Sequence, residues 1–438
     1  MVEPDVPPAA ASTEAPSSNY RWFALAMLTT VYIINFVDRQ ILSILLPDIK
    51  EAFDVSDTSL GFLSGISFAL FYATLGIPIA MRADRGNRRN IIAVALTVFS
   101  VMTAMCGFVV SFAQLALARI GVGVGEAGTS PPSHSIIADL FPPKQRATAM
   151  GIFALGVNIG IMIGFFCGGW LRDVYGWRIA FMAVGAPGLL IAIFVRIFLK
   201  EPVRGASESE IELDDSEAPS FALAAKTFWR IPALRHIALG AALNSFVGYG
   251  AVNWLPSFLD RSYSMPGREI GVYLALIIGL SGGIGTYLGG YLADRFAKQD
   301  IRWNLWVPAI AILAALPFNF GVFLSFTAQE TLLYFLIPAM VGTIYLGPSL
   351  AMVQALVPLR MRTVSSAILL FIINIIGMGL GPQVVGILSD LLSDQYAEES
   401  MRYALFIAGF VNIWSAFHFF MGARTLRQDL EDSKRANA

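Results

Sequence analysis

Gly76-Ile-Pro-Ile-Ala-Met-Arg-Ala-Asp84-Arg85-Gly-Asn-Arg88-Arg89 closes a long apolar run on a knot of charge, and its core returns about 210 residues later as Gly290-Tyr-Leu-Ala-Asp294-Arg295. A second echo stands at nearly the same offset: Arg146, Asn158 and Asp173 recur as Arg362, Asn374 and Asp390. Two independent matches at nearly one offset indicate a duplicated chain. Duplicated halves built of apolar segments are the architecture of secondary transporters, in which a substrate sits between halves that rock against each other.

The composition agrees. Of 438 residues, 56% are hydrophobic and 14% charged, and mean hydropathy is +0.65, so there is too little polar material to wrap a soluble core in water. A bilayer core about 30 Å thick takes roughly 20 apolar residues per helix. The chain therefore has room for about a dozen spans with short loops and no large soluble domain. Apolar runs between charged or turn-forming clusters place spans near 21–46, 58–81, 90–111, 113–138, 146–170, 177–199, 233–258, 270–293, 303–325, 331–357, 363–389 and 402–422, with boundaries good to about 3 residues. The expected fold is an all-α polytopic membrane protein with twelve transmembrane helices in two pseudo-symmetric six-helix bundles.

Around those bundles, 21–200 and 231–422, three polar segments are expected. Residues 1–20 form a Pro-, Ala- and Ser-rich disordered tail without the basic start of a cleaved signal. Residues 201–230 form a linker, acidic from Glu208 to Glu217, then amphipathic from Phe221 to Trp229 as suits a helix at the headgroup boundary. Residues 423–438 form a second tail. Placing both termini in the cytoplasm leaves only Lys50, Arg172, Arg178, Arg261, Arg268 and Arg402 outside and most of the 30 Lys and Arg inside, as the positive-inside rule requires. The expected location is the cell (inner) membrane.

A net charge of −1 gives no reason to expect nucleic acid. Cys106 and Cys167 lie in apolar stretches and do not form a disulfide framework. There is no nucleotide-binding motif, no metal-ligand spacing and no nucleophile constellation within the spans, so neither an enzyme nor an ATP-driven pump is expected. No cofactor is expected beyond a proton as coupling ion, and the chain is expected to be monomeric among its membrane lipids.

The chemistry concentrates in two spans. Asp38 and Arg39 lie inside the first, Arg119 and Glu126 inside the fourth, and no other ionised residue sits well inside a span. Each costs a few kcal/mol at mid-bilayer on insertion scales, so it faces a partner or an aqueous cavity. Counting helical rise from each span's start puts Asp38 about 25 Å in from the inside and Arg119 about 9 Å down from the outside, at a similar height. They are placed to pair. Glu126, two turns below Arg119 on the same face, is desolvated amid Gly121, Gly123, Gly125 and Gly128 and suits reversible protonation. Asp38, Arg119 and Glu126 are thus the proton-coupling candidates, and Arg119 and Arg39 the candidates for an anionic head. Asn244, Tyr249, Asn253, Tyr345 and Asn374, with Gln354, are neutral candidates for the cavity wall in the second half. His134, His236 and His418 read as isolated packing residues.

Asp84, Arg85 and Arg88, with Asp294 and Arg295 in the echo, are the gating candidates, because a carboxylate amid arginines at a helix end can hold a charge-assisted bond that breaks when the halves rock. The Gly76–Arg89 stretch resembles the loop signature of the major facilitator superfamily, and this resemblance implies a latch on the cytoplasmic side of the outward-open state. The glycine-rich spans 5 and 11 look like that superfamily's interface helices.

Within it the chain resembles the Spinster family. The resemblance rests on Asn35-Phe-Val-Asp-Arg39, Leu46-Pro-Asp-Ile49, Arg119-Ile-Gly-Val-Gly-Val-Gly-Glu-Ala127, Ile137-Ala-Asp-Leu-Phe-Pro142 and Glu201-Pro-Val-Arg-Gly205. It is dense in the first half, with only general superfamily features beyond residue 230, and the short tails and compact loops look bacterial. The resemblance implies proton-coupled, alternating-access movement of an amphiphilic, lipid-like solute of lysophospholipid or sphingoid-phosphate type. The residues alone leave small organic anions or sugars open as the alternative.

Overall fold

A computed structural model describes residues 18–204 and 221–437. Residues 1–17 of the expected tail and the acidic part of the linker lie outside the described residues, as does the Asp84 side chain, whereas residues 18–20, expected to be disordered, already belong to the first helix. Among the described residues the chain is a succession of helices: α1 Ser18–Phe53, α2 Asp57–Ser64, α3 Ile66–Arg85, α4 Arg88–Met105, α5 Phe112–Glu126, α6 Ser130–Leu140, α7 Pro143–Phe198, α8 Phe221–Arg230, α9 Pro232–Tyr263, α10 Gly267–Ala297, α11 Trp303–Leu324, α12 Ala328–Val341, α13 Leu346–Leu356, α14 Arg362–Ile372, α15 Gly381–Tyr396, α16 Ser400–Gly409 and α17 Val411–Asn437. A π-helical segment, Ile373–Leu380, joins α14 to α15.

Among the described residues eight helical stretches are long and apolar enough to cross a membrane, and with two further helical crossings they make up the twelve spans. The 56-residue α7 would be about 84 Å long if straight, far beyond a bilayer core. It breaks at Gly176, whose φ of 79° and ψ of 166° need a residue without Cβ, and its two arms are successive spans. The stretch from Arg362 to Ser433 likewise holds two crossings. Of the remaining spans, one is divided between α5 and α6, of 15 and 11 residues, each too short alone to cross a bilayer, and α9 carries Asn244 and Asn253 within its run.

One face of the molecule gathers the chain ends. Lys200 N donates to Tyr20 Oη at 2.5 Å, Arg89 N to Glu201 Oε2 at 2.9 Å and Ala233 N to Asp429 Oδ2 at 2.9 Å. This is the terminal side. There the two bundles keep separate cores, one built on Leu25, Phe99, Ile137 and Val195, the other on Leu234, Leu305, Leu369 and Phe419. On the far side a single core joins them, with Leu42, Leu63, Phe165 and Phe181 packed among Trp254, Phe258, Leu274 and Phe323. The halves are closed together at the far end and parted at the terminal end.

Gly169 and Gly271 show how close that closure is. A Cβ on Gly169 would lie 2.2 Å from Gly267 O, and one on Gly271 would lie 2.4 Å from Phe165 O, so α7 and α10 touch backbone to backbone. The other small residues of span 5 do something different: Gly156, Gly160, Gly164 and Gly168 face α1 in their own bundle.

Candidate functional site

Between the parted halves lies a cavity of about 2060 Å³, lined from both bundles. Its wall is mostly apolar and aromatic, including Tyr32, Phe36, Phe68, Tyr72, Phe335 and Phe371. All of the neutral second-half candidates, Asn244, Tyr249, Asn253, Tyr345, Gln354 and Asn374, face it, and Asn158, Asn319 and Asn412 join them. Asn244 Nδ2 is engaged by Gly342 O at 3.1 Å and Asn253 Nδ2 by Tyr249 O at 2.9 Å, leaving their amide oxygens toward other partners.

The four embedded charges form two ion pairs in the wall. Arg119 Nη1 donates to Asp38 Oδ2 at 2.8 Å, and Thr103 Oγ1 donates to Asp38 Oδ1 at 2.5 Å. The pair is sealed, Arg119 being 2% exposed and Asp38 0%. Glu126 does not pair with Arg119. Arg39 bonds it instead, through Nε at 2.8 Å and Nη2 at 2.5 Å, both to Oε1. Oε2 is buried and has no hydrogen-bond partner among the described residues.

Arg39, 12% exposed, is the more accessible of the two paired cations at the cavity wall. Its guanidinium lies 4.8 Å from the Phe36 and Tyr72 ring centres and 5.0 Å from that of Phe68, and Nη1 reaches Met378 Sδ of the second bundle at 3.6 Å. The Phe68 ring also lies 5.8 Å from the Arg119 guanidinium. One aromatic ring thus lies near both cations and links the two pairs.

Among the described side chains, the gating candidates Arg85, Arg88, Asp294 and Arg295 fall at the terminal side, and none of them bonds across the halves. Arg88 is buried and staples its own bundle: it bonds Asp139, Ser135 at 2.8 Å, Glu201 at 2.7 Å and Pro202 O at 3.0 Å. Arg85 and Asp294 are exposed, and Arg295 Nη1 bonds Tyr291 Oη at 3.0 Å in its own helix. A latch that closes only when the terminal side is shut is expected to be open in this state.

The ion pairs that cross the halves were not anticipated from sequence, and among the described residues they lie at the far side. Asp57 at the start of α2 takes a bidentate bond from Arg261 of α9, at 2.7 and 2.6 Å, together with Lys50 Nζ at 2.7 Å and Ser389 Oγ at 2.7 Å. Arg172 bonds Asp48 at 2.5 Å and Asp260 at 3.4 Å. The echoed aspartates act as reciprocal caps. Asp390 accepts from the backbone of Asp57 and Thr58 at 3.0 and 2.7 Å, while Asp173 accepts from Arg268 N at 2.9 Å. Each half thereby caps a helix start of the other, where free N–H groups and the helix dipole favour a carboxylate. The repeat of Asp173 as Asp390 was the available sequence signal.

The histidines also differ from expectation. His236 and His418 are not isolated: their Nδ1 atoms lie 2.9 Å apart, joining α9 to α17. His134 lines the cavity and packs edge-on against Phe153.

The family model of the Major Facilitator Superfamily matches residues 28–382. An MFS-type efflux pump of Mycolicibacterium smegmatis is 32% identical over 415 residues, 94% of this chain and 95% of the relative. Protein spinster homolog 1 of Homo sapiens is 27% identical over 414 residues, 88% of this chain and 78% of the relative. A crystal structure of a bacterial homologue of the human lysosomal transporter Spinster, inward-facing and unoccupied, superposes with a TM-score of 0.87 at 32% identity, covering 94% of this chain and 99% of the other.

Proposed function

The chain belongs to the Major Facilitator Superfamily, in its Spinster branch, as a membrane transporter and not an enzyme; we propose that it carries an anionic, lipid-like amphiphile coupled to a proton. The observation that carries this reading is the unequal state of the two carboxylates. Asp38 has both oxygens satisfied, so its pair with Arg119 acts as a fixed strut. Glu126 uses one oxygen on Arg39 and keeps the other buried and unpartnered, a place for a proton.

Arg39 cannot serve an ionised Glu126 and an anionic head in one place without bringing like charges together. Protonating Glu126 releases the guanidinium, and an arriving phosphate or carboxylate takes it bidentately. Proton and anion are then bound together, and the apolar, Phe-bearing wall of the second bundle receives the tail. Alternating access follows from breaking the far-side Asp57–Arg261 network while the terminal side closes.

The proposed placement is the inner membrane with both termini cytoplasmic, so that the cavity opens to the cytoplasm. Glu126→Gln is expected to abolish pH-gradient-driven transport of lysophosphatidic acid in proteoliposomes while the folded protein persists. Full proton-driven activity in that variant would sink the role of Glu126.

The alternative, small organic anions or sugars, draws on the polar amides of the wall: Asn158, Asn253, Asn319, Asn374 and Asn412 suit hydroxyl recognition. Thermal-shift measurements with lysolipids against sugar phosphates separate the two, the losing class giving no shift.

A further inference from the structure

The cavity wall carries three arginines, Arg39, Arg119 and Arg362, and no Asp or Glu among the described residues. Two of the three are committed to Glu126 and Asp38. Arg362, exposed at the start of α14, has no hydrogen-bond or ion-pair partner among the described residues. It stands where the linker helix α8 meets α14, for its neighbours Met361 and Val364 pack on the cluster that holds Ala224 and Phe228 of α8.

That helix has two working faces. Ala224 and Phe228 are buried in the second bundle's core. Phe221, Ala225 and Trp229, four residues apart and so on one side of the helix, line the cavity instead. Phe221 and Trp229 remain substantially exposed, which is costly in water and useful against an alkyl chain. The cavity mouth therefore combines a free guanidinium with an aromatic stripe.

We propose that Arg362, Phe221 and Trp229 form a second ligand site at the cavity mouth, distinct from Arg39, which binds the anionic head of a single-tailed amphiphile and lays its tail along α8. The ligand class rests on the reading given under Proposed function. The two stations differ in one respect. Binding at Arg39 requires Glu126 to be displaced, whereas Arg362 has no carboxylate partner among the described residues, so capture at the mouth needs no proton. The guanidinium fork matches a phosphate or carboxylate head, and Trp229 supplies a rigid apolar surface with a small loss of side-chain entropy.

The test uses the full-length protein in phosphatidylcholine nanodiscs with lysophosphatidic acid brominated on its acyl chain, since bromine quenches a tryptophan it touches. Trp229→Phe isolates the Trp229 contribution to the signal. The expected result is quenching of Trp229 whose half-saturation rises about tenfold in Arg362→Gln, equivalent to the loss of one modest charge-assisted bond, and recovers in Arg362→Lys. Brominated monoacylglycerol, which has no charge, is expected to quench wild type and Arg362→Gln equally, and inorganic phosphate is expected not to displace the lysolipid at matched concentration.

Quenching that ignores Arg362→Gln in a variant with unchanged thermal unfolding would overturn the site. Displacement by inorganic phosphate at matched concentration would overturn the part played by α8, leaving a simple anion site. An absent Arg362 effect with proton-driven transport intact refutes the mouth site alone. Intact Arg362-dependent quenching with no proton-driven transport refutes the carrier reading alone.

Discussion

Arg39 holds Glu126 by one oxygen only, through Nε at 2.8 Å and Nη2 at 2.5 Å to Oε1, while Oε2 is buried without a partner among the described residues. The neighbouring pair, Asp38 with Arg119 and Thr103, leaves no such vacancy on its carboxylate. Two acid–base pairs in one wall thus have different capacities, one to stay and one to exchange.

The strut should behave as a buried pair does. Asp38→Leu or Arg119→Leu alone leaves a sealed charge uncompensated, and each is expected to cost about 3–5 kcal/mol of stability. The double substitution should recover most of that loss. Thermal unfolding of the three variants in detergent checks this, and a double variant no better than the singles would show that the pair's geometry, not its charge balance, carries the fold.

The far-side network should hold the resting conformation. Asp57→Ala removes the acceptor for Arg261, Lys50 and Ser389 at once, and weakening one state by about 1.4 kcal/mol shifts a two-state balance roughly tenfold. A cysteine placed at Gln40, which lines the cavity, is expected to react about ten times faster with an impermeant maleimide added on the far side. Unchanged labelling would mean that the shared apolar core, not the ion pairs, sets the closure.

Backbone contact makes the same closure sensitive to a single methyl. The Cβ of Gly271→Ala would sit 2.4 Å from Phe165 O, and that of Gly386→Ala 2.3 Å from Asp57 O, too close for backbone to accommodate without the halves parting. Both variants are expected to populate the far-open state, read as lengthened distances between spin labels at Thr58 and Glu398. Gly151→Ala, where a Cβ meets nothing within 4 Å, is the control and should leave the distances unchanged.

Much of this was legible in the sequence, and the reasons for the rest are physical. The twelve spans followed from apolar length, and the Asp38–Arg119 bond from counting helical rise, because both depend on one-dimensional distance. The partner of Glu126 did not follow. Arg39 is adjacent to Asp38 in sequence, and successive helix residues point about 100° apart, so two neighbours serve two different acids. The far-side network did not follow either: Lys50, Arg172 and Arg261 sit at span ends, where sidedness alone accounts for a charge. Span 5's glycines resemble the superfamily's interface helices, and their spacing suits a sliding interface and ordinary tight packing alike. Four of them pack on α1 inside the bundle, a distinction that helical spacing cannot draw because both neighbours demand the same small residues.

The central claim is that Glu126 gains a proton when an anionic head takes Arg39. Calorimetric titration of lysophosphatidic acid into the purified protein, in buffers of different ionisation enthalpy at one pH, measures protons taken up per ligand. The account predicts uptake of about one proton in wild type and none in Glu126→Gln, with binding retained. Binding to wild type without proton uptake, or undiminished uptake in Glu126→Gln, would contradict it.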